Sequence, residues 1–455
     1  MKNRIVVSSL AHQIFEDIYQ SGGYVYIVGG TVRDYLLKEK DSHDIDVEVY
    51  HMEYQDLKKI LEKYGHVNTY GQSFAIMSLD NLSGYDFALP RREFKMGVKH
   101  QDFDIIVDKD LPIEKAILRR DITINALMYD YHKGQIIDLC NGIEDLKNGI
   151  IRMVNPQTFQ EDPLRVLRVA SFVSRFEMEV EIQTKQFCKR MVDDGLLTHL
   201  SIERIYEEYK KILMSNHPSL GLEFIKEIGA LPSYLQNLVG CFQRLDYHPE
   251  GDVWNHTMLV VDIAALCKQY TDYPEAFMWS ALLHDIGKPL VTTPTGSAPA
   301  HNESGVEVFK NVKIIFSHKL REYVKTMIMY HMHLMNMARN NTRDIKYLRL
   351  LKQIEGKVSL SDLMFISECD KLGRGRVTSA QYNQFLEYMN DKIERLGDKA
   401  QKPIIDGRDL IEYGFLNRAL YRRLLDRAYD LQLQGFTKDK ILRVLKKEEL
   451  RDDKR

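Results

Sequence analysis

Asp44 and Asp46, one isoleucine apart, are the residues of this chain best placed to do chemistry. They alternate with Ile45, Val47 and Val49, so in a strand of period two both carboxylates point to one face. Upstream, the apolar run Tyr26-Ile27-Val28 leads into Gly29-Gly30, where a missing Cβ lets the backbone approach a bulky anion. A helical run bearing Arg33 and Asp34 follows. Two acids on one rigid strand, beside a glycine turn able to hold phosphate, suit paired divalent cations acting on a nucleotide. The competing reading is a hairpin with solvated acids outside, and the Asp-x-Asp spacing disfavours it.

A second set of candidates lies between residues 250 and 370. His256 falls in a helical segment, and His284-Asp285 ends an apolar helix expected over Phe277–Leu283. Then come Ile286-Gly287-Lys288, His301, His331 and finally Asp370. Divalent ions accept this mixture of imidazole and carboxylate. The order His…His-Asp…Asp, with His-Asp-x-Gly-Lys intact, resembles the HD-domain metal-dependent phosphohydrolases. The resemblance implies a divalent metal of unspecified identity on His256, His284, Asp285 and Asp370. His301 and His331 would hold a second metal or orient a scissile phosphate, with Lys288 binding that phosphate and His333 a weaker substitute for His331. A lone histidine in an apolar helix is more often a satisfied core residue; several in this order are not.

The elements that must position these residues fall into successive regions. At 455 residues the chain is too long for one core. Residues 1–150 mix patterns: a helix near 8–21, strands near 24–28, 44–50, 74–79, 84–89 and 103–107, a helix near 114–128 and a short hairpin at Gln135–Leu139. Residues 156–235 read as helical, with apolar spacing through Val166, Leu167, Val169, Ala170, Phe172 and Val173. A histidine-rich helical region follows from 245 to 395, with an exposed loop at Gly287–Pro299. A turn at Lys402-Pro403 precedes a terminal helical segment.

Composition excludes several classes. Apolar residues are 44% and charged residues 28%, ordinary for a soluble globular protein. No apolar run approaches the ~20 residues of a membrane span, and the first residues lack a signal-peptide core. Five scattered cysteines without Cys-x-x-Cys fit a reducing cytoplasm and argue against zinc-thiolate chemistry. With 63 basic and 65 acidic residues, any nucleic acid must be held by local patches. Arg91-Arg92, Lys95 and Lys99, in a loop-like stretch, and Lys210-Lys211 are the candidates, although such runs are usually solvated faces.

Gly29-Gly30-Thr31-Val32-Arg33-Asp34 with Asp44-x-Asp46 resembles the nucleotidyltransferase core of the DNA polymerase β superfamily, above all bacterial tRNA nucleotidyltransferases and poly(A) polymerases. Arg119-Arg120-Asp121-Ile122-Thr123-Ile124-Asn125-Ala126-Leu127 is similar to that family's second motif. Glu161-Asp162-Pro163-Leu164-Arg165-Val166-Leu167-Arg168 is similar to its nucleobase-selecting helix. The resemblance implies Mg²⁺ on Asp44 and Asp46, Asp86 as a third acid, and nucleotide contacts from Gly29, Gly30, Arg33 and Arg120. Asp162, Arg165, Arg168 and Ser171 recur every three residues and form one helical stripe. In the family this stripe reads the base edges of CTP and ATP. Asp162 before Pro163 is equally an N-cap and first-turn signature. Ser171 departs from the family, where relatives often carry another arginine.

The expected fold is α+β: a nucleotidyltransferase head (1–150), a helical neck and body binding nucleobase and RNA (151–240), a helical HD domain (241–395) and a small helical tail (396–455). The implied function is a cytoplasmic enzyme adding or repairing the 3′-terminal CCA of tRNA from CTP and ATP, with hydrolysis of phosphates at RNA 3′ ends by the HD domain. A poly(A) polymerase or A-adding enzyme is the alternative within the superfamily. A phosphohydrolase whose head only binds RNA is the alternative from another class.

Overall fold

The computed structural model describes residues 4–38, 44–70, 76–95, 103–374 and 379–452. The chain forms two units, residues 1–231 and 232–455.

In the first unit the aromatic and β-branched segment β1 (Tyr24–Val28) lies inside a seven-stranded sheet. The other strands are β2 (Ile45–Tyr50), β3 (Val67–Tyr70), β4 (Ile76–Leu79), β5 (Leu82–Ala88) and, after the separate hairpin β6 (Arg91–Lys95)–β7 (Phe103–Val107), β8 (Met128–Asp130) and β9 (Gln135–Ile137). The order is β3-β4-β5-β2-β1-β8-β9. β1 runs antiparallel to β2 and β8, whereas β2 and β5 are parallel. Ile14, Phe15 and Ile18 of the helix Ser9–Gln20 are fully buried in one core with Ile27, Val47, Val49 and Phe87. Ser8 starts that helix by accepting from the Ala11 N–H at 3.1 Å.

Three sequence expectations are corrected. The helix expected over 114–128 stops at Leu118, and Arg119–Asp121 form a turn before a short 3₁₀ segment at Thr123–Asn125. The β-branched run Ile122-Thr123-Ile124 disfavours the helix. The Asp121 side chain also captures the Ile122 N–H at 2.8 Å, offering the backbone another partner. Arg91, Arg92 and Lys95 stand in strand β6 rather than in a loop. The stretch Gly287–Pro299 contains a short helix, Lys288–Val291. Lys99 and the turn at 40–43 lie outside the described residues.

The remainder is helical. Leu164–Phe176 packs against Ile202–Met214 and Pro218–Glu227 in the first unit. In the second unit Val253–Cys267, Pro274–Leu283, His318–Tyr330 and Leu360–Leu372 surround a common interior containing Trp254 and Trp279. The helices Gly407–Glu412, Tyr421–Leu433 and Lys438–Asp452 share a small core of their own around Leu410 and Ile441.

Candidate active sites

Strand β1 runs into Gly29, whose φ of +72° is a left-handed conformation that side chains disfavour. A Cβ there would lie 3.4 Å from the Asp46 carboxylate and 3.8 Å from the Arg120 guanidinium. The turn, the acid and the arginine are therefore neighbours. Asp46 pairs with Val28 across to β1 and with Asp86 across to β5. Asp44 sits one residue before β2, and its carbonyl accepts from the Thr31 hydroxyl at 3.0 Å. Burial raises the Asp46 carboxyl above its ordinary range; Arg120 opposes this, while Asp86, Glu48 and Asp44 reinforce it. Asp86 is raised by burial and by Asp44. Mutual repulsion among like charges is what a shared divalent cation would relieve.

Glu48, next on the same face of β2, escaped the sequence reading although the alternation continues to it. It is buried and accepts from Arg120 at 2.6 Å and Arg119 at 3.1 Å. Burial pushes its carboxyl up, but these two guanidinium groups outweigh that and leave it low. Glu48 thereby aims Arg120 toward Gly29.

Gly29, Asp46 and Arg120 line a cleft of about 590 Å³ in which arginines predominate, and Asp44 and Asp86 are not among its lining residues. Arg33, Arg120, Asp162, Arg165, Arg168 and Ser171 all line it, with Arg91, Arg119, Arg175, Arg204 and Lys211. Arg33 is buried, paired with Asp34 at 2.6 Å, bonded to the Asn125 amide oxygen and stacked 4.4 Å from the Phe176 ring. Arg165 donates to the carbonyls of Thr158 and Arg119, so it stitches the helix to the turn of the second motif. Arg168 clasps Asp121 through Nε at 2.8 Å and Nη2 at 2.7 Å, and this holds the Asp121 carboxyl at about 2 against the upward push of burial. Asp162 accepts from the Leu164 N–H at 3.2 Å, as a first-turn residue does. Both its oxygens also accept from Arg204, at 3.0 and 2.9 Å. Ser171 donates to Glu208 at 2.9 Å, and Lys211 donates to the other Glu208 oxygen at 2.8 Å. The contributions of Arg204 and Glu208 were invisible in sequence because they come from a helix about forty residues away.

The second unit gathers every expected ligand. His256, His284, Asp285 and Asp370 place donor atoms within 4.8 Å of one another, and Asp285, His301 and His331 form an overlapping group. All six are buried. Asp285 is the hinge between the groups. Its Oδ2 lies 3.2 Å from His284 Nε2 and its Oδ1 lies 3.3 Å from His301 Nε2 and 3.8 Å from His331 Nε2. His256 Nε2 is 2.9 Å from Asp370. The sequence reason is visible in each histidine. Nδ1 of His284, His301 and His331 faces the carbonyl three residues earlier, of Ala281, Ala298 and Ile328, at 2.8, 2.8 and 2.9 Å. That contact fixes the tautomer and turns Nε2 inward as a lone-pair donor.

His256 departs from this pattern, and the Val253 carbonyl three residues before it accepts from the Thr257 hydroxyl at 2.8 Å. Its Nδ1 lies instead 2.8 Å from Glu250, which His248 also approaches at 2.8 Å. Glu250 and His248 were missed in sequence, though His-x-Glu six residues before His256 was a readable signal.

The donor set fits a divalent metal. Nε2 of His284, His301 and His331 and Oδ1 of Asp285 are buried without a hydrogen-bond partner, which a coordinated ion would satisfy. Burial and neighbouring His284 press His331 down to about 3, so its imidazole is neutral and able to ligate. Among the described residues, groups of three or more such donors within 4.8 Å all lie in the second unit. The aspartates of the head form a more open set, as expected where substrate phosphates complete the shell of a magnesium ion.

Family profiles match in the order of these sites: the poly A polymerase head domain at residues 25–152, the probable RNA and SrmB-binding site of polymerase A at 177–238 and the HD domain at 253–374. The multifunctional CCA protein of Aliivibrio salmonicida is 37% identical over 63% of this chain and 69% of its own length. That of Actinobacillus pleuropneumoniae serotype 5b is 31% identical over 79% and 88%. In fold, the chain is similar to the Bacillus stearothermophilus CCA-adding enzyme solved in complex with CTP, with a TM-score of 0.66 at 19% identity over 98% of this chain and 100% of that one. No helix among the described residues is long and apolar enough to cross a membrane. Profiles, relatives and paired sites agree: the chain belongs to the family of multifunctional CCA proteins.

Proposed function

We propose that this protein adds or repairs the 3′-terminal CCA of tRNA from CTP and ATP without a nucleic-acid template, and that its HD centre hydrolyses phosphates at RNA 3′ ends. The chemistry of the first site is attack of the RNA 3′-hydroxyl on the α-phosphate, with pyrophosphate leaving. What supports this reading most is Asp46 standing beside Gly29 in the arginine-lined cleft, with Asp86 its cross-strand partner.

Asp44 and Asp46, with Asp86 adjacent, would hold Mg²⁺, whose chemistry is to acidify the hydroxyl and neutralise the triphosphate. Gly29 admits the phosphates to the backbone, and Arg120, aimed by Glu48, donates to their oxygens. Asp162 and Arg165 or Arg168 would meet the base edge, the carboxylate accepting from the exocyclic amine that C and A share. In the second unit His256, His284, Asp285 and Asp370 would hold a divalent metal, with His301 and His331 around a second metal or the phosphate. A metal bound there would activate water and polarise the phosphoryl group. Lys288, 2.5 Å from Asp285, can follow the phosphate charge.

This reading keeps residues 1–150 as head, 151–240 as neck and body, 241–395 as HD domain and 396–455 as tail, in a cytoplasmic enzyme. The deciding experiment incubates the protein with tRNA lacking CCA and each radiolabelled triphosphate. Incorporation of C followed by A supports the reading; failure to incorporate C rejects it.

A further inference from the structure

Beside the histidine centre lies a pocket of about 270 Å³ that the metal ligands do not account for. Its rim carries Phe242 and Tyr247, which are 51% and 52% exposed. Its depth carries Gln243, Lys288, Arg374 and the ligand His301.

The rim is built, not incidental. Phe242 rests against the turn at Gly296, where φ is +76° and a Cβ would fall 2.8 Å from the phenyl ring and 2.8 Å from the Arg244 nitrogen. That turn is closed by Thr293 and Ser297, the Thr293 N–H donating at 2.8 Å. Tyr247 carries the Arg244 guanidinium 4.8 Å from its ring centre, and Asp246 anchors that arginine. Both aromatic positions are thus fixed while their rings remain half open to solvent.

The depth carries unspent donors. Gln243 is 3% exposed, and its Oε1 accepts from Lys288 at 2.7 Å. Its Nε2 is buried with no hydrogen-bond partner. Arg374 gives Nη2 to Asp370 at 2.9 Å, while its Nε is likewise buried and unpartnered. Buried donors left without acceptors are unfavourable unless a ligand supplies oxygen. An apolar ligand would leave Gln243 unpaired, and a bare phosphate would leave the aromatic faces in water. A nucleotide meets both needs, since every base has a π-face that stacks on an aromatic ring.

We propose that this pocket seats the terminal nucleoside of an RNA 3′ end, its base stacked on Phe242 and Tyr247 and its phosphate oxygens held by Gln243 and Arg374. The proposal deepens the phosphohydrolase reading and rests on it for the centre that the phosphate faces. It also gives the HD centre a preference for nucleotides over simpler phosphate esters.

The test uses the full chain loaded with divalent metal, in the wild type, Phe242→Ala/Tyr247→Ala and Phe242→Trp/Tyr247→Trp forms. The probes are adenosine 2′,3′-cyclic phosphate and, lacking a base, glycerol 2-phosphate. Hydrolysis kinetics and equilibrium dialysis of the nucleotide are both read. The alanine form is expected to raise KM and Kd for the nucleotide about tenfold or more without lowering kcat. The tryptophan form should restore both. An unchanged KM and Kd in the alanine form, or an equal KM rise with glycerol 2-phosphate, overturns the platform. If the wild type hydrolyses neither ester, the phosphohydrolase reading fails. Dialysis then decides the platform alone: weaker nucleotide binding in the alanine form supports it and equal binding overturns it.

Discussion

Asp46 and Asp86 are cross-strand partners on the parallel strands β2 and β5, with Val28, the last residue before the Gly29 turn, facing Asp46 from the other side. Adjacent like charges destabilise a sheet, and burial raises both carboxyls. The sheet keeps this pair where phosphate can approach. Replacing Asp46 with Asn keeps the volume and removes the charge. CTP incorporation into tRNA lacking CCA should fall by about 10²–10⁴-fold, the range expected when several kcal/mol of transition-state stabilisation are lost. Normal incorporation by this variant would refute the assignment.

Asp162 offers both oxygens to Arg204 while standing in the arginine-lined cleft. If the carboxylate selects the exocyclic amine, Asp162→Ala should reduce the preference for CTP over UTP by about 1–3 kcal/mol, the worth of a good base-edge contact. Arg204→Gln should change the same ratio through looser positioning of Asp162. Single-nucleotide incorporation kinetics with both triphosphates would check it; an unaltered ratio in both variants would count against base reading here.

The Asp121–Arg168 pair makes a pH prediction. The Asp121 carboxyl is held at about 2 in the folded chain, below its value of about 4 when unfolded. A depressed carboxyl stabilises the fold above the unfolded value and loses that contribution as pH falls through the folded one. The pair should contribute about 2 kcal/mol above pH ~4 and progressively less toward pH ~2. Thermal melts of wild type and Asp121→Asn should therefore differ at pH 6 and converge on acidification. A gap that widens toward acid would contradict the sign.

Glu250 braces the one histidine of the HD centre that lacks a backbone carbonyl at Nδ1. Partners of this kind typically tune metal affinity by about 10–100-fold. Titration with Mn²⁺ or Ni²⁺ should show weaker binding of that order in Glu250→Ala and a smaller loss in Glu250→Gln, whose amide oxygen still accepts from Nδ1. Asp285→Ala should abolish binding. Equal affinity in Glu250→Ala and wild type would reduce Glu250 to a structural role.

Chelation should separate the two sites. EDTA treatment is expected to abolish both activities. Mg²⁺ alone should restore nucleotide addition, whose ligands are carboxylates and substrate oxygens, whereas the imidazole-rich centre should need a transition metal. Equal recovery of phosphate hydrolysis with Mg²⁺ would show that the imidazoles do not set the metal preference.

The sequence by itself determined what periodicity and ligand chemistry can carry. Strand alternation put Asp46 and, unread, Glu48 on one face of β2, with Asp44 just before the strand. Helical spacing aligned Asp162, Arg165, Arg168 and Ser171, and the order of histidines and aspartates named the six buried side chains that gather around Asp285, though not the adjoining His248 and Glu250. Those are local relations, fixed by the backbone repeat whatever else the chain does. Only the tertiary structure decided which partners complete them. Asp86 reaches Asp46 through sheet register; Arg204 and Glu208 reach Asp162 and Ser171 from a separate helix; Glu250 stands at the Nδ1 of His256, where the other histidines face a backbone carbonyl. The broken helix at Arg119–Asp121 belongs to the same class, because Asp121 there answers to Arg168 as well as to its own backbone. Contacts of that range depend on packing and on satisfying buried charge, and neither is written into the spacing of residues along the chain.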